Sequence, residues 1–411
     1  MRVLIADKFE QAGIDRLRAV GCDVTVETGA KDAALADVLR KSHAQVLIVR
    51  STKVLQAVID AGDELALIVR AGAGYDNIDV EAASNRGVFV ANCPGKNAIA
   101  VAELTFALIL ALDRRVVENV NDLRRGVWNK KEYAIARGLK GRTLGVIGLG
   151  QIGREVVERA RAFEMPVIAW SRSLTNDAAK SMGVVRAETP IELAGASDIV
   201  SVHLAGTPET KHLVNAGVFA AMKPGSTFIN TARGEVVDYE ALAAAVETKR
   251  LRVGLDVYPH EPAAASGLFA DPLIKGFAES ADSGIIYGTH HIGASTDQAQ
   301  NAIAEETVRI VEHYLASGAV LNCVNLCARS PARWSLSVRH LNRPGVLAHV
   351  LNEISHAGIN VEEMANIIYS GAAAACAQIR LDARLPDEAL ERIRAGNAHI
   401  LAVSVTQLDG E

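Results

Sequence analysis

The 411-residue sequence predicts an α/β protein: two doubly wound parallel-sheet domains followed by a small βαββαβ domain. Three observations predict it. Short β-branched runs alternate with amphipathic stretches in two successive series. A Gly-x-Gly-x-x-Gly turn opens the second series, and the composition changes near residue 316.

The first series runs through RVLIA (2–6), VTVE (24–27), QVLIV (45–49), ALIVR (66–70) and VFVAN (88–92). Strands covered by helices on both faces read as continuous apolar runs, as these do. A long helix is predicted from Asn97 to Arg115. The second series opens at TLGVIG (143–148) and continues through PVIAW (166–170), DIVSVHL (198–204), STFIN (226–230), VGLDVY (253–258) and GIIYGT (284–289). Two such series in one chain predict two domains with a cleft between them.

The stretch ASGAVLNCVNLCARSPARW (316–334) lacks periodicity and reads as a linker. Beyond it, RWSLSVRHL reads as a strand and PGVLAHVLNEISHAG as a helix, with Pro344 in its first turn and Gly358 as its stop. Strands NVEEMANIIY and AAACAQIRLD, helix PDEALERIRAG and strand HILAVSVTQL complete a ferredoxin-like βαββαβ order.

Composition narrows the function. The chain is 49% hydrophobic and 22% charged with a formal net charge of −5, and it has no basic run to track a phosphate backbone. Aromatics are 4%, too few for base-stacking platforms, so no nucleic-acid partner is expected. MRVLIADKFE has Asp7 and no long apolar core, and AIAVAELTFALILAL (98–112) is too short to span a bilayer and carries Glu103. No membrane association is expected. The five cysteines are scattered, and Cys323 and Cys327 lack a companion Cys/His pair, so no metal site and a reducing, cytoplasmic location are expected.

GLGQIG (148–153) follows a predicted strand and precedes the predicted helix REVVERARAF, the context that dinucleotide binding requires of a Rossmann domain. Gly148 allows the tight turn, Gly150 the approach of a pyrophosphate, and Gly153 the packing of helix on sheet. A carboxylate roughly twenty residues further on would bind the ribose hydroxyls of NAD. This chain has Ser171 and Arg172 there, which suit the 2′-phosphate of NADP. NADP is favoured, with NAD the alternative.

Three further segments stand at or beyond predicted strand ends, where open α/β sheets bind ligands. NTARGEVVD (230–238) presents Arg233, GLDVYPHEP (254–262) presents Asp256 and Glu261, and THHIGAST (289–296) presents His290 and His291. A histidine can shuttle a proton near neutral pH, a carboxylate can fix its tautomer, and a guanidinium can hold a substrate carboxylate.

These motifs, with RAGAGYDNIDVEAA (70–83), VFVANCPGKNAIAVAEL (88–104), VHLAGTPETKHLVN (202–215) and MKPGSTFINTARGEVVD (222–238), resemble the D-isomer-specific 2-hydroxyacid dehydrogenase family, and most closely its phosphoglycerate dehydrogenase branch. The resemblance covers residues 1 to about 325 in the family's order. It implies a flavodoxin-like substrate domain of residues 1–96 and 290–318, a Rossmann domain of 97–289, a linker of 319–333 and a regulatory ACT domain of 334–411.

The resemblance further implies that His291, which directly precedes Ile-Gly-Ala, is the acid/base, Glu261 its partner and Arg233 the substrate anchor. His290 stands where the family usually has proline. By the same comparison Gln151, Ile152, Leu204, Thr231 and Asp256 contact the cofactor, and Ala73, Gly74 and Arg50 contact the substrate. Lys130 would be contributed by a neighbouring subunit of a homo-oligomer, a dimer or tetramer. In the ACT-like segment, His340, Asn342 and Asn360 match positions that bind an amino-acid effector, serine in regulated members. The implied reaction converts a phosphorylated 2-hydroxy acid, 3-phosphoglycerate, to 3-phosphohydroxypyruvate with NAD or NADP, the entry to serine synthesis. Two alternatives stand beside it: an NADPH-dependent glyoxylate or hydroxypyruvate reductase, and a nucleotide-sensing, corepressor-like protein without turnover.

Overall fold

A computed structural model describes residues 1–262, 267–271, 273, 284–327 and 329–408. Most of the unusually long segment 263–284 lies outside them. The described residues form two compact units, 1–325 and 326–411.

The first unit holds two all-parallel sheets. β1 (Arg2–Ile5), β2 (Asp23–Val26), β3 (Val46–Val49), β4 (Leu67–Arg70) and β5 (Phe89–Asn92) pair in the order β2-β1-β3-β4-β5, the flavodoxin-like arrangement. Each strand is four residues long, and the central β3 is an apolar run buried at every position because helices cover both faces, whereas the edge strand β2 is largely exposed. The second sheet contains β6 (Leu144–Ile147), β7 (Val167–Trp170), β8 (Val185–Arg186), β9 (Ile199–Val202), β10 (Thr227–Asn230), β11 (Arg252–Leu255) and β12 (Ile285–Gly288). Its order, β12-β11-β10-β9-β6-β7-β8, reverses direction between β6 and β9, and this switch point is where an open sheet leaves a crevice for a dinucleotide.

The chain crosses to the second sheet through the helix Ala98–Arg114, whose Leu108, Ile109 and Leu112 join the core beneath that sheet. It returns through Asp297–Ser317. That helix packs Ile303, Val308, Ile310 and Val311 onto Val3, Ile5, Val46 and Ile48 of the first sheet. Residues 322–325, within the stretch read from sequence as a linker, are tied to β5. Ala91 bridges Cys323, the Val324 amide donates to Val90 O, and Asn325 accepts from the Val90 amide. The apolar Val320, Leu321 and Val324 lie against the cores of this sheet, which explains the seam in an aperiodic stretch.

Glu306 fastens the return helix. It is 4% exposed. Its carboxylate accepts from Arg309 at 2.6 Å and Asn322 at 2.7 Å and lies 3.3 Å from Lys96 Nζ. The Arg309 bond, followed by those from Asn322 and Lys96, outweighs burial and pushes its pKa down to about 2. A depressed carboxylate contributes stability that is complete above its unfolded value of 4.5 and is lost as pH falls toward 2. Glu306→Gln is therefore expected to cost roughly 3 kcal/mol at pH 7, with the gap to the parent shrinking by about half at pH 3. Urea unfolding at both pH values checks this, and an equal gap at both would refute it.

In the second unit, β13 (Trp334–Leu341), β14 (Val361–Ile368), β15 (Ala374–Leu381) and β16 (Ile400–Gln407) form an antiparallel sheet in the order β14-β15-β13-β16. Helices Val346–His356 and Asp387–Ala395 supply Val350, Ile354, Leu390 and Ile393 to its core, giving the ferredoxin-like βαββαβ fold. The first helix starts at Val346, two residues later than Pro344 had suggested, because Gly345 takes φ +86° as its N-cap.

Candidate active site

The segments following β11 and β12 bring His291 and Glu261 together. β11 stops at Leu255, short of the predicted strand VGLDVY, because Asp256 turns its carboxylate into the loop after β12. The chain then folds back so that the Tyr258 amide donates to Glu261 Oε1 at 3.0 Å. Glu261 Oε2 lies 2.6 Å from His291 Nδ1. With that nitrogen donating to the carboxylate, Nε2 carries the lone pair and is free to take a proton. Burial would raise the Glu261 carboxyl. The His291 bond and charge, the Tyr258 amide and the Arg233 charge instead hold it below the usual carboxylate range. His290 is exposed.

Arg233, whose charge reaches Glu261, is grouped with two further guanidinium groups, Arg70 and Arg50. Arg233, just past β10, donates through Nε at 3.3 Å and Nη2 at 3.1 Å to Asp76 Oδ1, on the loop after β4. Gly74 on the same loop lets it approach: a Cβ there would lie 1.9 Å from Arg233 Nη2. Arg70 ends β4, and its side chain occupies the space that a Cβ at Gly72 would need. Its Nε is buried without a hydrogen-bond partner among the described residues. Burial, then the neighbouring Arg233 charge, pushes the Arg70 pKa down to about 10, with Arg50 adding in the same direction. Arg50 itself is set by Asp7, whose Oδ2 accepts the amides of Arg50 at 2.6 Å, Ser51 at 3.1 Å and Thr52 at 3.0 Å. The Ala73 carbonyl is fixed by the Asn92 amide group at 2.6 Å. Sequence reading missed Asp7, Arg70 and Asp76. Asp7 and Arg70 each lie at or just past the end of an apolar run, a position shared with Arg50, and that was the available signal.

The glycine turn has the form that a pyrophosphate needs. Gly148 has φ +97°, and a Cβ would sit 2.5 Å from His203 O. A Cβ at Gly153 would sit 2.2 Å from Gly148 O, whereas one at Gly150 would meet nothing within 4 Å. The helix Gln151–Ala162 thus begins beside open space with no side-chain cap on its first amides, a ready anion site. Leu204 packs against Gly148, Gln151 covers Gly95, and Ile152 is half-buried. Thr231 is buried with its hydroxyl 3.0 Å from that of Thr105. Ser171 and the exposed Arg172 follow β7 directly, and no carboxylate stands at those positions. Asp256 is 1% exposed, and both its oxygens accept from the 289–293 loop.

The remaining sequence-chosen residues lie elsewhere. Lys130 is on an exposed segment, beside Trp128 and Tyr133 at a cavity of about 530 Å³. In the second unit His340 is buried, with Nδ1 2.8 Å from Leu341 O and Nε2 3.2 Å from Asn366 Oδ1. Asn342 donates to Ala372 O, and Asn360 donates to Glu362. Among the described residues no hydrogen bond joins these three to one another. Nor does any group of three His, Cys, Asp or Glu side chains among them match a metal site.

A switch-point crevice with an open glycine turn, a histidine–carboxylate pair and clustered arginines are the features of a nicotinamide-dinucleotide oxidoreductase. Comparison with known proteins narrows that class. Residues 106–275 match the family described as D-isomer specific 2-hydroxyacid dehydrogenase, NAD binding domain. The D-3-phosphoglycerate dehydrogenase of Methanocaldococcus jannaschii is 35% identical over 377 residues, 90% of this chain and 68% of that one. The chain belongs to the D-isomer-specific 2-hydroxyacid dehydrogenase family. Among solved structures, the NAD+-bound 3-phosphoglycerate dehydrogenase of Entamoeba histolytica aligns with TM-score 0.66 and 26% identity over 79% of this chain and 99% of that one. The NADPH-dependent glyoxylate/hydroxypyruvate reductase of Sinorhizobium meliloti, in complex with NADP and malonate, aligns with TM-score 0.67 and 26% identity, covering 79% of this chain and 96% of that one. The chain spans between 57% and 68% of the length of the first three curated relatives it matches. No helix among the described residues is long and apolar enough to cross a membrane.

Proposed function

We propose that this protein interconverts 3-phosphoglycerate and 3-phosphohydroxypyruvate, the step that opens serine synthesis, in the cytoplasm. The observation that carries the reading is the cluster of Arg50, Arg70 and Arg233 beside the His291–Glu261 pair, with Arg70 Nε buried and unpaired. Three cations are more than one carboxylate needs, and they suit a substrate bearing a carboxylate and a phosphate. Relatives named D-3-phosphoglycerate dehydrogenase support the same substrate.

In this reading residues 1–96 and 290–318 hold substrate and 97–289 hold the dinucleotide. Gly148, Gly150, Gln151, Ile152 and Gly153 cradle the pyrophosphate, while Leu204 and Thr231 line the pocket beyond it. The bound dinucleotide supplies the hydride acceptor. Arg233, with the Ala73 and Gly74 backbone, orients the substrate carboxylate, and Arg50 and Arg70 take the phosphate. His291 Nε2 withdraws the hydroxyl proton, and Glu261 holds the ring in the tautomer that leaves Nε2 free and steadies its charge once protonated. In the reverse direction the same nitrogen returns the proton.

Residues 326–333 link this core to an effector-binding domain at 334–411, where His340, Asn342 and Asn360 would meet an amino acid such as serine. A homo-oligomer is supported by the exposed apolar side chains of Val116, Val117, Leu123, Val127, Trp128 and Ile135, which surround Lys130 in sequence.

The test is a parallel assay of 3-phosphohydroxypyruvate and hydroxypyruvate with NADH and NADPH, with and without millimolar serine, on protein whose mass in solution is measured. Phosphohydroxypyruvate should be preferred by at least about tenfold, one missing charged contact being worth that much. Arg172→Ala should lower the NADPH-to-NADH ratio of kcat/KM. Hydroxypyruvate preference with NADPH would favour the reductase reading, which Ser171 and Arg172 support and which the Sinorhizobium meliloti reductase exemplifies.

A further inference from the structure

Asp256 is a buried carboxylate, and no cation pairs with it among the described residues. An ionised carboxylate in such a place is costly unless hydrogen bonds satisfy it. Every hydrogen bond it accepts comes from the five residues around His291. Oδ1 accepts from the Thr289 hydroxyl at 2.7 Å and the Ile292 amide at 2.8 Å, and Oδ2 accepts from the Gly293 amide at 2.9 Å. Between these anchors His291 has φ +51°, the left-handed region that a residue with a side chain avoids at a cost of about 1–2 kcal/mol. Gly293 completes the fit, because a Cβ there would lie only 3.1 Å from Asp256 Oδ2 and 3.2 Å from Val101.

We propose that Asp256 is a positioning residue that acts on the reaction through His291, holding its backbone in this conformation so that Nδ1 meets Glu261. This inference rests on the function proposed above and adds to it. Asp256 and Glu261 lie five residues apart on one segment after β11, so a single turn both tethers the histidine loop and supplies the histidine's partner. A strained backbone persists only where its surroundings over-determine it, and three bonds converging on one rigid carboxylate do so.

The experiment uses the full chain. Asp256→Asn puts an NH2 group where one oxygen now accepts, so one or more of the three bonds is lost. Expected are a fall in kcat of at least thirtyfold and at least tenfold faster hydrogen exchange in the peptide covering 289–296. In a Glu261→Gln background the same change should lower kcat less than a further threefold, because both substitutions break one unit. A milder series guards against misfolding. Thr289→Val should lower kcat five- to tenfold, and Thr289→Ser, which keeps the hydroxyl, should stay within twofold of the parent. Unchanged exchange in 289–296 would overturn the proposal whether or not the parent turns over. So would retained kcat with NADH binding weakened more than tenfold, which would make Asp256 a cofactor ligand instead. A parent without hydride transfer to any 2-oxo acid, combined with the expected loss of protection, would sink the proposed function but not the tether.

Discussion

His291→Ala should lower kcat by about 10³ or more in both directions while leaving the Kd for dinucleotide within threefold, the usual range for losing a positioned acid/base being about 10²–10⁴. The upper part of that range is expected because the ring is oriented before substrate arrives, through its 2.6 Å contact with Glu261. Alanine also leaves a half-buried carboxylate without its partner, so the charge that stabilises a protonated imidazole has nothing to act on. The neighbouring histidine supplies the control. His290 is exposed, and among the described residues neither its ring nor its amide makes a hydrogen bond. A proline there removes no donor that the fold uses, and His290→Pro should keep kcat within about twofold. Single-turnover measurements with both variants decide the matter. A large loss in His290→Pro and a small one in His291→Ala would reverse the assignment.

The two histidines show how far sequence goes. Their roles were separable only because His291 precedes Ile-Gly-Ala, a motif resemblance. The physical difference, left-handed backbone at 291 and a carboxylate waiting 30 residues upstream, is a property of the folded loop. The central strands were legible because double-sided burial makes such a strand a nearly unbroken apolar run, as in VLIV at Val46–Val49. β8, only two residues long and partly exposed, offers no such run and was missed. Asp76 was invisible for a related reason. An aspartate in GYDNID reads as turn chemistry, and nothing local says that Arg233, 157 residues away, will donate to it twice. Asp256 is a cofactor-contact position by resemblance, and nothing local says that groups 33 to 37 residues further along will also engage its carboxylate. In His340 the burial of the ring inside β13's sheet could not be read from a strand's alternation alone, since the same pattern fits either face.

Arg233→Ala is expected to reduce kcat/KM by about 10³, roughly 4 kcal/mol of transition-state binding. Two effects add. The substrate loses a bidentate partner for its carboxylate, and a charge that helps hold Glu261 ionised disappears. Asp76 gives the alanine variant a further handicap. Its carboxyl is held low against burial chiefly by Arg233, so once the guanidinium is gone an uncompensated anion faces an anionic substrate. Arg233→Lys separates charge from geometry. Lysine keeps the positive charge but not the planar fork, whose Nε and Nη2 reach Asp76 together while Nη1 donates to Ala232 O at 2.8 Å. A lysine that recovered nearly all activity would mean that Arg233 contributes only a field. The expected result is a residual loss of about 10²-fold, because orienting the carboxylate for hydride transfer needs two directed donors. Adding Asp76→Asn to the alanine variant should then return part of the lost substrate affinity without restoring kcat. The partial recovery would locate the repulsion at Asp76, and the persistent loss in kcat would locate orientation at Arg233.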